Sequence, residues 1–228
     1  MKRVVVAIDG PAGAGKSTVA RRLADKLGFL YLDTGAMYRA VALWALRANI
    51  DLNDMHRLEQ LALSSDISFK DQGRRVFLNG EDVTEAIRQP RVSAAASQVS
   101  TIPGVRRALV QKQREMAEGV SVVMEGRDIG SVVFPAADVK VFLDAAPEIR
   151  AERRAKELQQ RDGMANSEEV SSELRQRDER DRNRAEAPLV QAPDAVYIDS
   201  SKLSLDEVEE VLLRVVRERV SNGRELSR

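Results

Sequence analysis

A glycine-rich stretch near the amino terminus places the strongest constraint on the fold. Residues 10–18 read GPAGAGKST and follow the apolar run VVVAI at residues 4–8. The pattern G-x-x-x-x-G-K-[ST] is met at Gly10, Gly15, Lys16 and Ser17. Between a buried strand and a helix, such a loop wraps phosphate oxygens with its backbone amides, and the helix directs its amino terminus at the anion. The stretch therefore predicts a nucleoside triphosphate site after the first strand of an α/β fold.

The side chains of this loop have separate expected tasks. Lys16 can reach the β- and γ-phosphates, and the Ser17 hydroxyl can coordinate a magnesium ion bound with the triphosphate. The whole loop is expected to bind the triphosphate: Gly10, Pro11, Ala12, Gly13, Ala14, Gly15, Lys16, Ser17 and Thr18. Because such loops occur in switches, motors and kinases, the loop alone does not decide the reaction. The sequence contains no Asn-Lys dipeptide, which the guanine-reading N-K-x-D motif of GTPase switches requires.

Composition argues against several further classes of protein. Lysine plus arginine and aspartate plus glutamate both total 36, so the net charge of zero gives no field that would hold nucleic acid. There is no cysteine for a thiol nucleophile, and the single histidine, His56, cannot form a histidine metal cluster. No apolar run reaches the roughly 18 residues of a membrane span. We therefore expect a cytoplasmic protein that binds neither membranes nor nucleic acid.

Short apolar runs alternate with helical patterns along the chain. After residues 4–8, strand-like runs occupy residues 30–32, 120–124, 139–143 and 195–198. Helices are predicted for residues 16–27, from Pro103 to about Gly119, from Pro147 onward, and for residues 205–220. This alternation is typical of an α/β fold, here a parallel-sheet P-loop NTPase core with helices on both faces.

Residues 66–92 depart from this pattern. They contain two strand-like pieces at 67–70 and 74–78, followed by an Asn79-Gly80 hairpin signal. A parallel core does not accommodate antiparallel hairpins in the middle of its sheet. We therefore expect a small inserted antiparallel β subdomain.

Charged residues follow two of the predicted strands. LDTGAMYRA places Thr34, Tyr38 and Arg39 after the second strand, and MEGRDIG places Arg127 and Asp128 after residues 120–124. Ligands gather at the carboxyl ends of parallel strands, so these side chains should face the same crevice as the phosphate loop. Packed turn residues without a ligand are the alternative for each stretch.

A third charged stretch, LRQRDERDRNRAEAP at residues 174–188, contains five arginines. Spacing such as that of Asp178 and Arg182 is typical of ion pairs on an exposed helix face. Arg177, Asp181 and Arg184 instead follow i, i+4, i+7 spacing and share one helical face, which could close over an anion. Both interpretations stay open at this point.

Together these motifs resemble those of bacterial cytidylate kinases, a family of P-loop nucleoside monophosphate kinases. The matching stretches are IDGPAGAGKST, LDTGAMYR, AASQV at residues 95–99, EGRDIGSVVFP and RDERDRNRAEAPL, in order over nearly the whole chain. The resemblance implies transfer of the γ-phosphate of ATP to CMP or dCMP, with Mg²⁺ bound alongside ATP. It also implies one P-loop unit over residues 1–228, which we expect to be a monomer. Its core covers about 1–50, 93–150 and 190–228, a monophosphate-binding insert about 51–92, and a helical lid about 151–189.

The resemblance further implies roles for residues at matching positions. The phosphate of the monophosphate is expected to meet Thr34, Arg39, Arg127 and Arg184, the cytosine Ser97, Arg106 and Asp128, and the ribose Arg177 and Asp181. Tyr38 is expected to contact the substrate from its position after the second strand, and Lys16, Arg127 and Arg184 to carry catalysis. An ionised Asp128 can only accept hydrogen bonds, which suits the amino group of cytosine and disfavours the carbonyl of uracil.

Two positions differ from the family pattern. Thr34 stands where serine is common, which keeps the hydroxyl. Glu125 stands where aspartate is common, which leaves open whether this carboxylate holds magnesium through water. The alternatives are another small kinase, for UMP or for an alcohol acceptor, and a nucleotide-dependent switch.

Overall fold

The computed structural model describes residues 3–163 and 166–225. Its elements, in chain order, are β1 (Val5–Asp9), α1 (Lys16–Leu27), β2 (Leu30–Asp33), α2 (Thr34–Arg47), α3 (Met55–Ser64), β3 (Ile67–Lys70), β4 (Arg75–Leu78), β5 (Glu81–Asp82), α4 (Pro90–Val99), α5 (Pro103–Met116), β6 (Val122–Gly126), β7 (Val139–Asp144), α6 (Pro147–Asp162), α7 (Ser167–Asn183), β8 (Val196–Asp199) and α8 (Leu205–Glu225). A 3₁₀ turn (Ala86–Arg88) precedes α4, and a π-helical turn (Ile129–Val133) follows β6.

The larger sheet is parallel and has the strand order β2-β6-β1-β7-β8. Each pair of neighbouring strands runs parallel. All five strands predicted from the apolar runs are present, and the expected α/β fold class is confirmed. Because β1 is the central strand, the phosphate loop that follows it lies at the middle of the carboxyl edge of the sheet.

Both faces of this sheet are covered at its centre, which explains why β1 and β6 are buried along their whole length. On one face, Ile8 packs in a cluster with Leu23 of α1 and Leu212 of α8. On the other face, Ala7 lies in a second cluster, against which Met116 of α5 packs. Burial of apolar surface stabilises such layers by about 25 cal/mol per Å², and it fixes the positions from which the loops at the carboxyl edge project.

The inserted segment forms a separate antiparallel sheet in the order β3-β4-β5. Strands β3 and β4 confirm the two predicted strand-like pieces. The turn signal joins β4 to β5, where Asn79 and Gly80 have positive φ angles of 51° and 81°. The sequence predicts this turn but not β5, because Glu81 and Asp82 are too polar to indicate a strand.

The small sheet packs on the helices next to it and has no separate core. Val76 of β4 belongs to one apolar cluster with Leu43 of α2, Leu58 of α3 and Leu109 of α5. In the turn between β3 and β4, a Cβ added to Gly73 would lie 2.0 Å from the carbonyl oxygen of Tyr31, so the insert touches strand β2. The residue boundaries given above for core, insert and lid stay a prediction.

The helix boundaries follow from local signals in the sequence. Gly28 ends α1 in the left-handed conformation with φ of 66°, and α5 and α6 both begin with proline. The Asp33 side chain accepts a hydrogen bond from the Ala36 amide and so caps α2. Within the described ranges, no helix combines the length and apolar character needed to cross a membrane.

Candidate active site

The phosphate loop connects β1 to α1 through three glycines with positive φ. These angles are 148° at Gly10, 78° at Gly13 and 92° at Gly15. A Cβ at Gly10 would lie 1.9 Å from the carbonyl oxygen of Leu143, so the backbone of β7 requires glycine there. A Cβ at Gly15 would meet nothing within 4 Å. The loop is therefore tight against the sheet at its start and open at the beginning of α1.

Lys16 lies beneath this loop with only 5% of its surface exposed. Its Nζ donates a hydrogen bond to the Pro11 carbonyl at 2.7 Å. Burial and the positive charge of Arg127 lower the pKa of Lys16 to about 7, although Glu125 opposes the shift. Because an adjacent anion favours the charged form of an amine, a bound phosphate would restore the positive charge of Lys16.

A buried carboxylate and a hydroxyl lie next to Lys16. Glu125, in the last part of β6, accepts a hydrogen bond from the Tyr31 hydroxyl at 2.7 Å. Burial and the neighbouring charge of Asp33 raise the pKa of Glu125, although a hydrogen bond with Ser17 acts in the opposite direction. Serine and carboxylate oxygens are the hard donors that Mg²⁺ prefers.

Three arginines face the same region from different elements. Arg39 of α2 donates to Asp33 at 2.7 Å, and Arg127 donates to Asp181 of α7 through Nε at 2.8 Å. Arg177, one turn before Asp181, lies 4.0 Å from the same carboxylate oxygen. Burial and the charge of Arg127 lower the pKa of Arg177 to about 10. This excess of partly buried positive charge suits an anion such as a phosphate group.

A second charged cluster surrounds Asp128, which is 5% exposed. Arg106 of α5 forms a buried ion pair with its carboxylate, and Arg184 Nη2 lies 3.3 Å from the other carboxylate oxygen. The Arg106 guanidinium also lies over the Tyr38 ring, 5.7 Å from the ring centre. Two guanidinium groups thus hold the Asp128 carboxylate in place close to the Tyr38 ring.

Three polar groups complete this side of the site. The Ser97 hydroxyl is buried and has no hydrogen-bond partner among the described residues. The Thr34 hydroxyl donates to the Glu125 carbonyl at 2.8 Å. Burial raises the pKa of Tyr38 to about 12, so its hydroxyl is a neutral group near neutral pH. Of the three, Ser97 is the one with an unused donor.

These groups line one cleft of about 840 Å³. All the predicted substrate-binding residues border it, as do Ala12 to Thr18 of the loop. Gly10 and Pro11 are not among its lining residues: Gly10 packs on Leu143, and the Pro11 carbonyl accepts from Lys16. The structure therefore brings the predicted residues together at one cleft, except that Gly10 and Pro11 lie behind its surface.

Sequence reasoning missed several buried charges around the cleft. Asp9, at the end of β1, accepts from the amides of Ile129 and Gly130 at 2.8 and 2.7 Å. Burial raises the pKa of Asp9 to about 6, although the two amides oppose the shift. An aspartate that ends an otherwise apolar strand is the signal that could have found it. Asp9 links the strand before the phosphate loop to the turn that carries Asp128.

Arg150 and Asp178 form another buried pair that the sequence did not single out. The spacing of Asp178 suggested an ion pair with Arg182 along one helix, but its carboxylate accepts from Arg150 of α6 at 2.6 Å. Arg182 is exposed. Nothing in the charged sequence of α6 distinguishes Arg150 from its neighbours, because its burial depends on tertiary packing.

Comparison with known proteins gives strong matches along the chain. A family model described as cytidylate kinase matches residues 6–218. A protein of Solibacter usitatus named cytidylate kinase is 60% identical over 228 residues, which cover 99% of this chain and 97% of that protein. Another of that name, from Pelotomaculum thermopropionicum, is 52% identical over 96% of both chains.

Solved structures are similar in fold at low sequence identity. A gluconokinase from Sinorhizobium meliloti is 16% identical, covers all of both chains and gives a TM-score of 0.52. An uncharacterised protein from Eubacterium ventriosum is 13% identical, with 94% of this chain and 98% of that chain covered and a TM-score of 0.53. At these identities the likeness concerns the fold alone.

Proposed function

The chain belongs to the cytidylate kinase family, and we propose that its phosphate loop binds ATP while the arginine-lined side of the cleft binds the acceptor. The enzyme transfers the γ-phosphate of ATP to CMP or dCMP, giving ADP and CDP or dCDP. The observation that carries this assignment is one cleft that Lys16 of the phosphate loop lines together with Arg39, Arg127 and Arg177 from other elements.

This reaction needs little proton transfer, because the accepting phosphate oxygen is already largely ionised. Catalysis then consists of positioning the two substrates and stabilising the charge on the transferred group. We assign Lys16 to the β- and γ-phosphates, and Arg127 and Arg184 to the oxygens of the transferred and accepting phosphates. Guanidinium groups suit this task because they stay charged and bind two oxygens at once.

The acceptor phosphate would lie among Arg39, Arg127 and Arg184. Each of these side chains has a carboxylate partner, which keeps the guanidinium group in place. The hydroxyl of Thr34 donates to the Glu125 carbonyl and would have to rotate before it could donate to this phosphate. The arginines therefore carry most of the proposed affinity for the phosphate.

The nucleoside would occupy the side of the cleft near α5 and α7. Asp128 accepts from the amino group of cytosine, with Arg106 and the free Ser97 hydroxyl available for the other polar atoms of the base. Arg177 and Asp181 would contact the ribose, and Tyr38 would bound the pocket. A carboxylate at this position accepts from the amino group of cytosine and offers no donor to the carbonyl of uracil, so it selects against uracil.

The residues around Lys16 fit a magnesium ion bound with ATP. When bound there, the ion would neutralise part of the charge on the phosphates. The Ser17 hydroxyl would hold it directly, and Glu125 would do so through water. Among the described residues, no group of three or more carboxylate, histidine or cysteine side chains forms a metal site. The ion would therefore share its ligands with phosphate and water, as Mg²⁺ commonly does.

We propose that a single chain provides the complete site. Every group assigned above comes from one cleft of one chain, so no second copy is needed for the chemistry. The insert at about 51–92 would border the acceptor side, where Arg88 lines the cleft. The lid at about 151–189 would cover that side, since α7 supplies Arg177 and Asp181. The net charge of zero gives no reason to expect nucleic acid as a partner.

The test is ADP release from ATP and Mg²⁺ with CMP, dCMP, UMP, AMP and GMP in parallel. We expect rapid release with CMP or dCMP and slow release with the other nucleotides. The Lys16→Met variant should lose turnover with every nucleotide. Equal turnover of CMP and UMP would support a kinase for UMP, and ADP release that no monophosphate changes would support a nucleotide-dependent switch.

A further inference from the structure

A buried guanidinium group joins the lid to the phosphate loop. Arg150, near the start of α6, is 4% exposed. Its Nη1 donates to the Ala12 carbonyl of the phosphate loop at 3.1 Å and to Asp178 Oδ2 of α7 at 2.6 Å. Its Nε donates to the Ala145 carbonyl at 2.9 Å, which fixes the guanidinium plane. One side chain thus connects the loop, α6 and α7.

Asp178 lies on the helix that carries the proposed ribose contacts. Arg177 precedes it directly, and Asp181 follows it within one turn. Asp178 is 6% exposed, and its second oxygen, Oδ1, is buried without a hydrogen-bond partner among the described residues. The contact with Arg150 thus holds α7 at Asp178, about one turn before Asp181, which Arg127 holds on the same helix.

Apolar packing next to the pair is limited. Ala12 forms a small cluster with Val170 and Leu174 of α7, against which residues of α6 pack. The backbones also approach closely, because a Cβ at Gly13 would lie 2.9 Å from the Arg150 carbonyl oxygen. A small apolar contact tolerates some sliding, whereas the hydrogen bonds of a guanidinium group are directional.

We propose that Arg150 couples the binding of ATP to the binding of the monophosphate. The carbonyl of Ala12 belongs to the loop proposed to bind ATP, and the same Nη1 atom contacts both that carbonyl and Asp178. A change in the loop on ATP binding therefore changes the position of Asp178, and with it Arg177 and Asp181. Arg150 is a positioning residue, and the coupling rests on the proposed function.

Coupling of this kind acts equally in both directions. If ATP raises the affinity for CMP by some factor, CMP raises the affinity for ATP by the same factor, commonly about 5-fold to 150-fold. Removing Arg150 alone would leave the Asp178 carboxylate buried and unpaired, which destabilises a protein for reasons unrelated to coupling. The informative variant therefore changes both residues, to Arg150→Met with Asp178→Asn.

The experiment is calorimetric titration of CMP with and without saturating β,γ-imido ATP and Mg²⁺. In the unmodified protein, the analogue should raise the affinity for CMP at least about 5-fold. In the double variant the analogue should change the affinity for CMP by less than about 2-fold. The affinity for each ligand alone should change little. A matched double variant, Lys156→Met with Glu152→Gln, removes an exposed ion pair of the same helix and should keep the full factor.

A second variant covers the possibility that the double variant does not fold. Arg150→Lys keeps the charge but lacks the fork that reaches Ala12, Ala145 and Asp178 together, so it should fold and lose most of the factor. A folded double variant or Arg150→Lys with an unchanged factor would overturn the coupling. An unmodified protein that phosphorylates CMP but shows no coupling would overturn it as well, whereas failure to phosphorylate CMP would refute the proposed function.

Discussion

At the residue scale, Asp128 has the contacts that bear most directly on base selection. Its carboxylate lies between the guanidinium groups of Arg106 and Arg184. Asp128→Asn keeps the size of the side chain but adds an NH₂ donor, which can serve the carbonyl of uracil. A well-made base contact discriminates by about 1–3 kcal/mol, so the preference in kcat/KM for CMP over UMP should fall by about 5-fold to 150-fold.

The measurement for Asp128 is kcat/KM for CMP and for UMP with each variant. Asp194→Asn serves as the control, because Asp194 is exposed and pairs with Lys140 away from the cleft. Its preference for CMP should equal that of the unmodified protein. An unchanged preference in Asp128→Asn would show that another residue selects the base.

The sequence predicts individual residues where one short motif carries the chemistry. Lys16 and Ser17 belong to such a motif, and the structure places both in the cleft. Asp9 and Arg150 could not be assigned in this way, because their partners are distant in the chain. Arg150 and Ala12, for example, lie 138 positions apart. Periodicity and motif spacing carry no information on contacts of this kind.

At the element scale, α7 shows where helical periodicity is informative and where it ends. The predicted face correctly groups Arg177 with Asp181, and both lie at the cleft. The helix ends at Asn183, however, and Arg184 has extended backbone angles of −62° and 142°. Arg184 reaches Asp128 because the chain turns there, with the Leu189 amide bonded to the Asp181 carbonyl at 2.7 Å. Helical spacing thus placed Arg184 beside the cleft, but Arg184 reaches the cleft through the turn after α7 and not from the face of the helix.

The phosphate loop allows a prediction that separates stability from binding. Gly10→Ala forces a Cβ against the Leu143 carbonyl, so the loop or β7 must move. We expect a loss of about 3 kcal/mol or more in the free energy of unfolding, since overpacking and an unfavourable φ add together. In Gly15→Ala the unfavourable φ acts alone, so the free energy of unfolding should fall by about 1–2 kcal/mol. The affinity of this variant for ATP should also fall, because Gly15 lines the cleft.

Urea unfolding and titration with β,γ-imido ATP check this contrast. Gly80→Ala is the matched control for Gly15→Ala, because Gly80 also has positive φ with nothing within 4 Å but lies in the insert. It should lose similar stability and keep its affinity for ATP. Equal losses of stability in Gly10→Ala and Gly15→Ala would contradict the role assigned to the β7 contact.

At the scale of the whole molecule, the sequence predicts the layers but not every contact between them. Apolar strands and helical spacing are enough for a covered parallel sheet, because burial on both faces requires them. The packing of the insert against α2, α3 and α5 follows from contacts that are not local, such as those of Val76. The positions of the buried charged residues also depend on contacts between distant parts of the chain. These residues affect how the free energy of unfolding depends on pH.

Asp9 contributes to this pH dependence with a defined sign. Its pKa is raised from 3.8 to about 6 by burial, so the folded protein binds a proton between pH 4 and 6 that the unfolded chain does not. The stabilisation is fully present below pH 4 and is lost as pH rises through 6. The shift of about two pH units corresponds to about 3 kcal/mol. Asp9→Asn, which stays neutral, removes this dependence.

The measurement is the free energy of unfolding in urea from pH 4 to pH 7 for both proteins. We expect the stability of the unmodified protein relative to Asp9→Asn to fall by up to about 3 kcal/mol across this range. Asp199→Asn is the control. Hydrogen bonds from Ser201 lower the pKa of Asp199, so this carboxyl titrates below the pH range measured. The difference in unfolding free energy between this variant and the unmodified protein should therefore stay constant. A constant difference for Asp9→Asn would mean that Asp9 stays ionised in the folded protein, held by the Ile129 and Gly130 amides.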